Sequence, residues 1–534
     1  MANYLSSNGL IGSTRFLIYL IIFLSFLLSF GRYSESADLF SVQTLNIEGK
    51  ILSVVPADLD GRGSAEIVVL STTGIYPNEK RWISVYGAEP SGHYKVPAFQ
   101  RWQADPAAAM FEVGDVANSP GEEIFYLTDS GISYYAQNAD GTFGTTPHAL
   151  LSDPTITVHP QANSLPRTHL LEDWKHDGRN MLLLPQFKAL VFFNRDDNGR
   201  WRKADRVKVE PRAYLFSDNV DDGGGFRDYS IHAEFRLPRI FTGDFNGDGF
   251  QDLLLAEQES LAVYLQQTDG HFAAEPSLAY VFPVRPSGKN ADTNLSFFTA
   301  PADLNNDKFV DVLLTLIKGT GKFLEQEIII FIFLNKRNSE SPFSPEPDQT
   351  IKVSGVTPGV NIVDVNGDGR TDLLFSNIKI GFWKIVKNLI SKQVDLDTFI
   401  YLMKSEHRYS EHPDFKINTD YKIDLTHRIN FRGTWPSLKG DFNRDGYFDL
   451  LIARDGKIEI FLNTLKGDLF SKPFTQSGVV TAPFMRISDL NNDGFNDLLF
   501  YEKKRDGEIS VLLNKGVWKK KFTIDKTFKS TNAE

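Results

Sequence analysis

The sequence predicts an all-β chain folded as a β-propeller of eight four-stranded blades, or seven if the third repeat falls short of a full blade. Three observations carry this. A nine-residue aspartate loop recurs eight times, its first residue standing at 58, 115, 173, 244, 303, 364, 441 and 489. Each copy leads into a stretch of strand length, and no long helical periodicity appears after the N-terminus. The intervals between copies, 57, 58, 71, 59, 61, 77 and 48 residues, are too long for one hairpin and suit a four-stranded antiparallel sheet with generous connections. Circular closure of such sheets leaves only short, protected edges.

In chain order, the first element is an export segment. Arg15 precedes an apolar stretch from Phe16 to Phe30, and Ser34 and Ser36 are small residues suited to cleavage before Ala37. Residues 1–36 therefore read as a signal peptide, since the stretch is shorter than the roughly 20 residues of a full span, with an uncleaved N-terminal membrane anchor as the alternative. Residues 37–534 read as the propeller. Ser41–Ile47 and Ile51–Val55 are expected strands bounded by Gly49, and the first of them is placed to complete the last blade and latch the ring. Phe522–Phe528 is the rival for that edge.

Inside a unit, the loop is followed by an apolar strand, a turn, a second strand, a polar turn and a short extended stretch. The fourth unit shows this as Leu253–Ala256, Leu261–Leu265, the turn Thr268-Asp269-Gly270, and Ser277–Phe282. In the seventh and eighth units the strands Ile458–Leu462 and Ile509–Leu513 run into Asn463 and Asn514. Glu325–Leu334 is apolar but of core-strand length. Extra length falls at Asp205–Arg239, which reads as a flexible acidic loop, and at about 387–430, an insertion with a short helix expected over Asp395–Lys404. The second carries Lys404, His407, Arg408, His412, Lys416, His427 and Arg428 among Tyr401, Tyr409 and Tyr421. Such loops carry recognition when they are not simply solvated surface.

The loop chemistry is clearest in DFNGDGFQD, Asp244 to Asp252. Oxygen-bearing side chains occupy places one, three, five and nine, and Gly249 at place six lets the backbone turn sharply. This spacing can wrap one hard cation, since calcium takes six to eight oxygen ligands. The same pattern recurs as DLNNDKFVD (303–311), DVNGDGRTD (364–372), DFNRDGYFD (441–449) and DLNNDGFND (489–497). Weaker copies are DLDGRGSAE (58–66), DVANSPGEE (115–123) and DWKHDGRNM (173–181). The alternative at every copy is a turn whose Asp and Asn side chains satisfy themselves on the backbone without metal.

A DxNxDGxxD loop followed by an apolar strand and repeated along a chain resembles the FG-GAP or VCBS repeats of integrin α-subunit propellers and of many exported bacterial proteins. The resemblance implies a β-propeller whose loops hold calcium, about four or five ions, mainly structural. Carried over by position, the ligands are Asp244, Asn246, Asp248, Asp252 and the Phe250 carbonyl; Asp364, Asn366, Asp368, Asp372 and the Arg370 carbonyl; Asp441, Asn443, Asp445 and Asp449; and Asp489, Asn491, Asp493 and Asp497. Asp303, Asn305, Asp307 and Asp311 follow the pattern, but Lys308 replaces the glycine. With Arg62, with Ala117 and Ser119, and with Met181 at ligand places, the first three copies are expected to keep the turn and lose the ion. The chain lacks recognisable FG and GAP flanks, so no adhesion partner is carried over.

Bulk composition narrows the function. A net charge of −11 argues against a nucleic-acid partner, and the absence of cysteine excludes disulfides, thiolate metal sites and a cysteine nucleophile. There is no HExxH, no GxSxG and no phosphate-binding GxxxxGK followed by Ser or Thr. No catalytic residue or organic cofactor is assigned. The expected function is an exported, calcium-binding, non-catalytic scaffold that binds a protein or glycan in the periplasm, at the cell surface or in secreted form, with membrane contact only through the N-terminal segment. The competing reading is a calcium-dependent carbohydrate-active enzyme such as a polysaccharide lyase, with its base drawn from the basic 387–430 stretch.

Overall fold

In the computed structural model, residues 38–518 are described except 76, 90, 158–162, 218–230, 287–294, 320–325, 358, 379–390, 425–429, 432, 464–471 and 504–505. Phe40–Trp518 forms one compact unit; Met1–Leu39 and Lys519–Glu534 are assigned to another. The apolar segment Phe16–Phe30 and the rival latch Phe522–Phe528 lie outside the described residues. Among the described residues no helix is long and apolar enough to cross a membrane.

Each loop-to-strand junction of the sequence becomes the first turn of an antiparallel sheet. The apolar run after the fourth loop is the strand Asp252–Glu257, paired on one side with Arg239–Gly243 and on the other with Ser260–Tyr264, which in turn pairs with Leu278–Val281. Both faces of Asp252–Glu257 are buried, which is why its sequence is a continuous apolar run without alternation. Four-stranded sheets of the same order begin at Met110–Gly114, Leu171–Glu172, Leu295–Ala302 and Ser437–Gly440. The sheet from Asn361–Val363 adds a fifth, two-residue strand, Asn430–Phe431. The third sheet is complete, although its first strand is only two residues long.

The remaining seven strands form a single sheet, whose two four-stranded halves, the eighth and the first, share one strand. Phe40–Ala57 is one 18-residue strand, where two had been expected. Its first half pairs with Asp506–Asn514 in the register Phe40↔Asn514 to Ile47↔Gly507, and its second half pairs with Glu66–Thr73 from Ile51↔Ser71 to Ala57↔Glu66. The register shifts around Gly49, whose φ is +91°, and a Cβ there would stand 2.5 Å from the Thr72 carbonyl oxygen. The N-terminal half is thus the fourth strand beside Phe484–Ser488, Asp497–Tyr501 and Asp506–Asn514, and the C-terminal half is the first strand beside Glu66–Thr73, Lys80–Tyr86 and Gln100–Gln103.

The core is divided in the same way. Buried clusters span the first and second sheets, the second and third, the third and fourth, the fourth and fifth, the fifth and sixth, the sixth and seventh, and the eighth and first. Phe40 of the eighth sheet meets Phe442 of the seventh edge to face, ring centroids 6.3 Å apart. Each of the first six sheets therefore buries a face on the next in chain order, and the eighth on the first.

Two expectations change. The helix over Asp395–Lys404 is absent; Gln393–Tyr401 is the third strand of the sixth sheet, paired with Asp372–Ile378 and Phe415–Asp424. Leu396, Phe399, Ile400 and Met403 do stand at helical spacing, but strand partners on both sides override that local pattern. Within the 387–430 stretch, residues 393–424 are accordingly two strands of a blade-like sheet and the turn between them, and 387–390 and 425–429 lie outside the described residues. Within Asp205–Arg239, Arg212–Ser217 and Ile231–Arg236 pair as a two-stranded ribbon, whereas Asp218, Asp221, Asp222 and Gly223–Gly225 fall outside the described residues. Glu325–Leu334 yields the core strand Gln326–Phe333, as expected.

Candidate metal centres in the aspartate loops

All eight loops connect the first and second strands of their sheets. In the fourth, Asp244 accepts from the Gly247 and Asp248 amides through Oδ1 and from Gly249 through Oδ2. Asn246 Oδ1 accepts from the Asp248 amide, its Nδ2 donates to Asp248 Oδ2 at 2.8 Å, and Asp248 Oδ1 accepts from Phe250. Gly249 sits at φ +89°, the left-handed turn its place requires. The loops at 303, 364, 441 and 489 repeat the bond from the place-three amide to the place-five carboxylate: Asn305 to Asp307, Asn366 to Asp368, Asn443 to Asp445, and Asn491 to Asp493. Their first aspartates, Asp303, Asp364, Asp441 and Asp489, likewise accept from the amide at place six. In the fifth loop that residue is Lys308, held at φ +71°. The side chains of places one, three and five are thus set by the loop backbone before any ligand arrives.

Place nine behaves differently. Asp252, Asp311, Asp372, Asp449 and Asp497 are fully buried, and each carboxylate joins two backbone amides. One belongs to place two of its own loop (Phe245, Leu304, Val365, Phe442, Leu490), the other to a residue at the end of the third strand or two past it (Gln266, Asn335, Met403, Asn463, Asn514). Burial pushes these carboxyls up, Asp252 and Asp372 to about 6 and Asp311, Asp449 and Asp497 to about 7, and the acids at places five and one raise them further. An oxygen-only donor set around a carboxylate that resists ionisation fits a hard cation, which would favour the charged form. The Phe250 and Arg370 carbonyls belong to the same loops. Arg370 and Arg337 also place guanidinium groups on the place-five carboxylates Asp368 and Asp307.

Among the described residues, three acidic ligand atoms come within 4.8 Å of one another at one place, Asp58, Asp60 and Glu66 of the first loop. Sequence reasoning had set this loop aside for Arg62 at place five. Glu66 accepts from the Leu59 amide and is pushed up to about 7 by burial, then by Asp60. A cavity of about 400 Å³ opens beside it, lined by Asp60, Glu66, Phe99, Asn138 and Asp140 among others.

A further set of residues went unassigned at the sequence level. Asn335, Asn463 and Asn514 donate through Nδ2 to the carbonyls of Phe245, Val365 and Phe442, each in the preceding loop, and Gln137 does the same to Leu59. Other bonds complete the series: Glu122 N to Asp58 O, Trp201 Nε1 to Val116 O, Thr242 Oγ1 with His176 Nε2, Thr371 N to Leu304 O, Asp441 N to Asn496 Oδ1, and Ala65 N to Leu490 O. Each loop is tied to the next sheet, and the eighth to the first. The sequence signal was the Asn that ends a third strand, at 463 and 514.

The basic and tyrosine residues near 404–421 are spent on structure. Lys404 pairs with Asp414 and Lys416 with Asp397, while Tyr409 and Tyr421 donate to the carbonyls of Thr371 and Thr434. His407 and His412 lie on the turn between the third and fourth strands, and His427 is outside the described residues.

A family model described as FG-GAP-like repeat matches residues 244–314 and 441–500. The chain carries FG-GAP-like repeats. The two matched stretches run from the fourth loop into the fifth sheet and from the seventh loop into the eighth, so each FG-GAP-like match spans two consecutive loops. No curated protein matches significantly. Among solved structures, an Agrocybe aegerita lectin, described for its specific recognition of non-reducing terminal N-acetylglucosamine, aligns at 16% identity over 70% of this chain and 86% of its own, with a TM-score of 0.37.

Proposed function

We propose that the eight sheets close into an eight-bladed β-propeller whose loops bind calcium, and that the protein is an exported, non-catalytic scaffold for a protein or glycan ligand. The observation that carries the closure is the shared strand Phe40–Ala57, which belongs to the last sheet and the first at once. The unbroken series of loop-to-sheet bonds supports it. Calcium is supported by the five oxygen-only loops at 244, 303, 364, 441 and 489, with ligands Asp, Asn, Asp and Asp at places one, three, five and nine.

The binding role rests on where polar groups are already used. The loop ends of the sheets are tied to one another, with Phe250 and Phe448 exposed among them, and the connections at the other end carry the ribbon strands Arg212–Ser217 and Ile231–Arg236 and an exposed aromatic pair. Phe187 and Phe235 are 56% and 42% exposed and stack edge to face at 5.8 Å. Export rests on the apolar segment after Arg15.

The test is thermal unfolding of residues 37–534 with calcium and with chelator, alongside metal counting and a glycan and cell-surface binding screen. A calcium-dependent rise in midpoint with about four or five ions per chain and a saturable ligand supports the reading. No bound ion and no shift removes the calcium part, and no ligand on any surface removes the scaffold part.

A further inference from the structure

The second and third loops keep the aspartate turn but do not fit a metal. In the second, Asp115 at place one turns to Arg195 of the third sheet, whose Nη1 lies 2.9 Å from Asp115 Oδ1 while Nη2 donates to Asn118 Oδ1 at 2.7 Å. Glu123 at place nine spends Oε2 on the Val116 and Ala117 amides and Oε1 on the Ser119 hydroxyl. In the third, place three is Lys175, and its side chain is only 7% exposed. Its ammonium lies 2.9 Å from Asp205 Oδ2, donates to the Gly270 carbonyl, and stands 4.9 Å above the Phe272 ring. Asp205, 2% exposed in its side chain, also meets His271 Nδ1 at 2.8 Å and the Phe272 amide.

We propose that the second and third loops take no metal, the second because Arg195 holds Asp115 and the third because Lys175 stands in a ligand place and is committed to Asp205, so that the third sheet is fixed to both its neighbours independently of calcium. A tethered cation already sits at place one of the second loop, and in the third the side chain of place three is a cation turned to Asp205, where other loops carry an amide oxygen. An incoming divalent ion would have to displace Arg195 from Asp115, or bind the third loop without an oxygen side chain at place three or, with Met181, at place nine. Removing Lys175 would leave the buried Asp205 with His271 alone as a counter-ion. The geometry also joins sheets. Arg195 leaves the third sheet for the second loop, and Lys175 leaves the third loop for Asp205 and the Gly270 turn of the fourth sheet. Where other junctions along the chain are tied by an asparagine on a loop carbonyl, these two carry an ion pair.

The inference rests on calcium filling other loops, and its test separates the two ideas. Calcium per chain is counted by native mass spectrometry on residues 37–534 and on the variants Asp115→Asn, Asp173→Asn and Asp441→Asn. The first two are expected to leave the count unchanged, and the third to lower it by about one ion. A loss of one ion in Asp115→Asn or Asp173→Asn overturns the proposal. Thermal midpoints of Lys175→Met and Lys175→Arg are read with calcium and with chelator. Lys175→Met is expected to fall equally in both conditions and Lys175→Arg to recover much of the loss. A Lys175→Met defect that vanishes in chelator overturns the proposal, as does one that never appears. Should the parent bind no calcium at all, the metal reading fails, and the chelator measurements still decide the role of Lys175.

Discussion

Replacing Asn335 by Ala tests whether consecutive sheets are held by side-chain bonds that owe nothing to metal. Asn335 is 7% exposed, and its Nδ2 donates to the carbonyls of Phe245 at 3.1 Å and Val310 at 3.2 Å, the first in the fourth loop and the second in the fifth. Alanine leaves both buried carbonyls without that donor. A buried polar group that loses its partner costs about 1–3 kcal/mol, so the pair should cost about 2–4 kcal/mol, allowing for relaxation. The control is Asn338→Ala, an exposed turn residue whose Oδ1 accepts from Glu340; its loss should stay within about 1 kcal/mol. Urea unfolding read by intrinsic fluorescence, in chelator and again in calcium, gives both differences. The reasoning fails if Asn335→Ala is no worse than Asn338→Ala, or if its penalty appears only when calcium is present.

Gly49→Ala should destabilise by about 1–3 kcal/mol, because a Cβ at φ +91° meets the Thr72 carbonyl just where the shared strand passes between sheets; an unchanged urea midpoint would remove Gly49 from the latch. Asp445→Ala should be nearly silent in chelator yet cut calcium stabilisation, which for one site at a hundredfold excess over Kd is about 2.7 kcal/mol, as read by calorimetry; equal losses in both conditions would make Asp445 a turn residue only. The place-nine carboxyls give a pH dependence. Because Asp311, Asp449 and Asp497 are raised from 3.8 to about 7 in the fold, the chelated protein holds their contribution fully below about pH 4 and loses it as pH rises through about 7. Its thermal midpoint should therefore fall across that window, and saturating calcium, which favours the ionised form, should flatten or reverse the fall. A chelated midpoint that climbs from pH 4 to 7 would contradict the burial of these groups.

The repeat grammar was legible because it is local. A loop of alternating oxygens, a glycine and an apolar run all stand within about a dozen residues, and the strands Asp252–Glu257, Asp449–Arg454 and Asp497–Tyr501 fall where that pattern puts them. What needed a second sheet could not be read. Asn463 and Asn514 were visible as residues ending strands, but nothing in their own segments says that the side chain reaches Val365 or Phe442, 98 and 72 positions away. In the first loop Arg62 pairs with Asp60 at 3.3 Å while Asp58, Asp60 and Glu66 come together, and neither feature is visible from the place-by-place pattern alone. The third loop was discounted for Met181, while the informative residue was Lys175, whose partner Asp205 lies in the fourth strand. Tyr409 and Tyr421 looked like a recognition surface for a related reason: a tyrosine in a polar stretch gives no sign that its hydroxyl is committed to a distant carbonyl.

The same distinction bears on where a ligand can be held. At the loop ends, the backbone amides of each turn point at its own carboxylates, and the remaining donors reach into a neighbouring sheet. A ligand arriving there competes with bonds already made, and each bond it breaks returns a buried polar group to the unpaired state. At the other end of the strands, the turn Gln186–Ala189 presents Phe187 beside Phe235 of the Arg212–Arg236 ribbon, two rings that bury little and cost little to cover. Aromatic area of this kind gains free energy when it leaves water, and it does so without disturbing a sheet. Phe250 and Phe448 are exposed in the aspartate loops as well, but each stands in a turn whose amides are already committed, whereas Phe187 and Phe235 meet each other clear of such a loop.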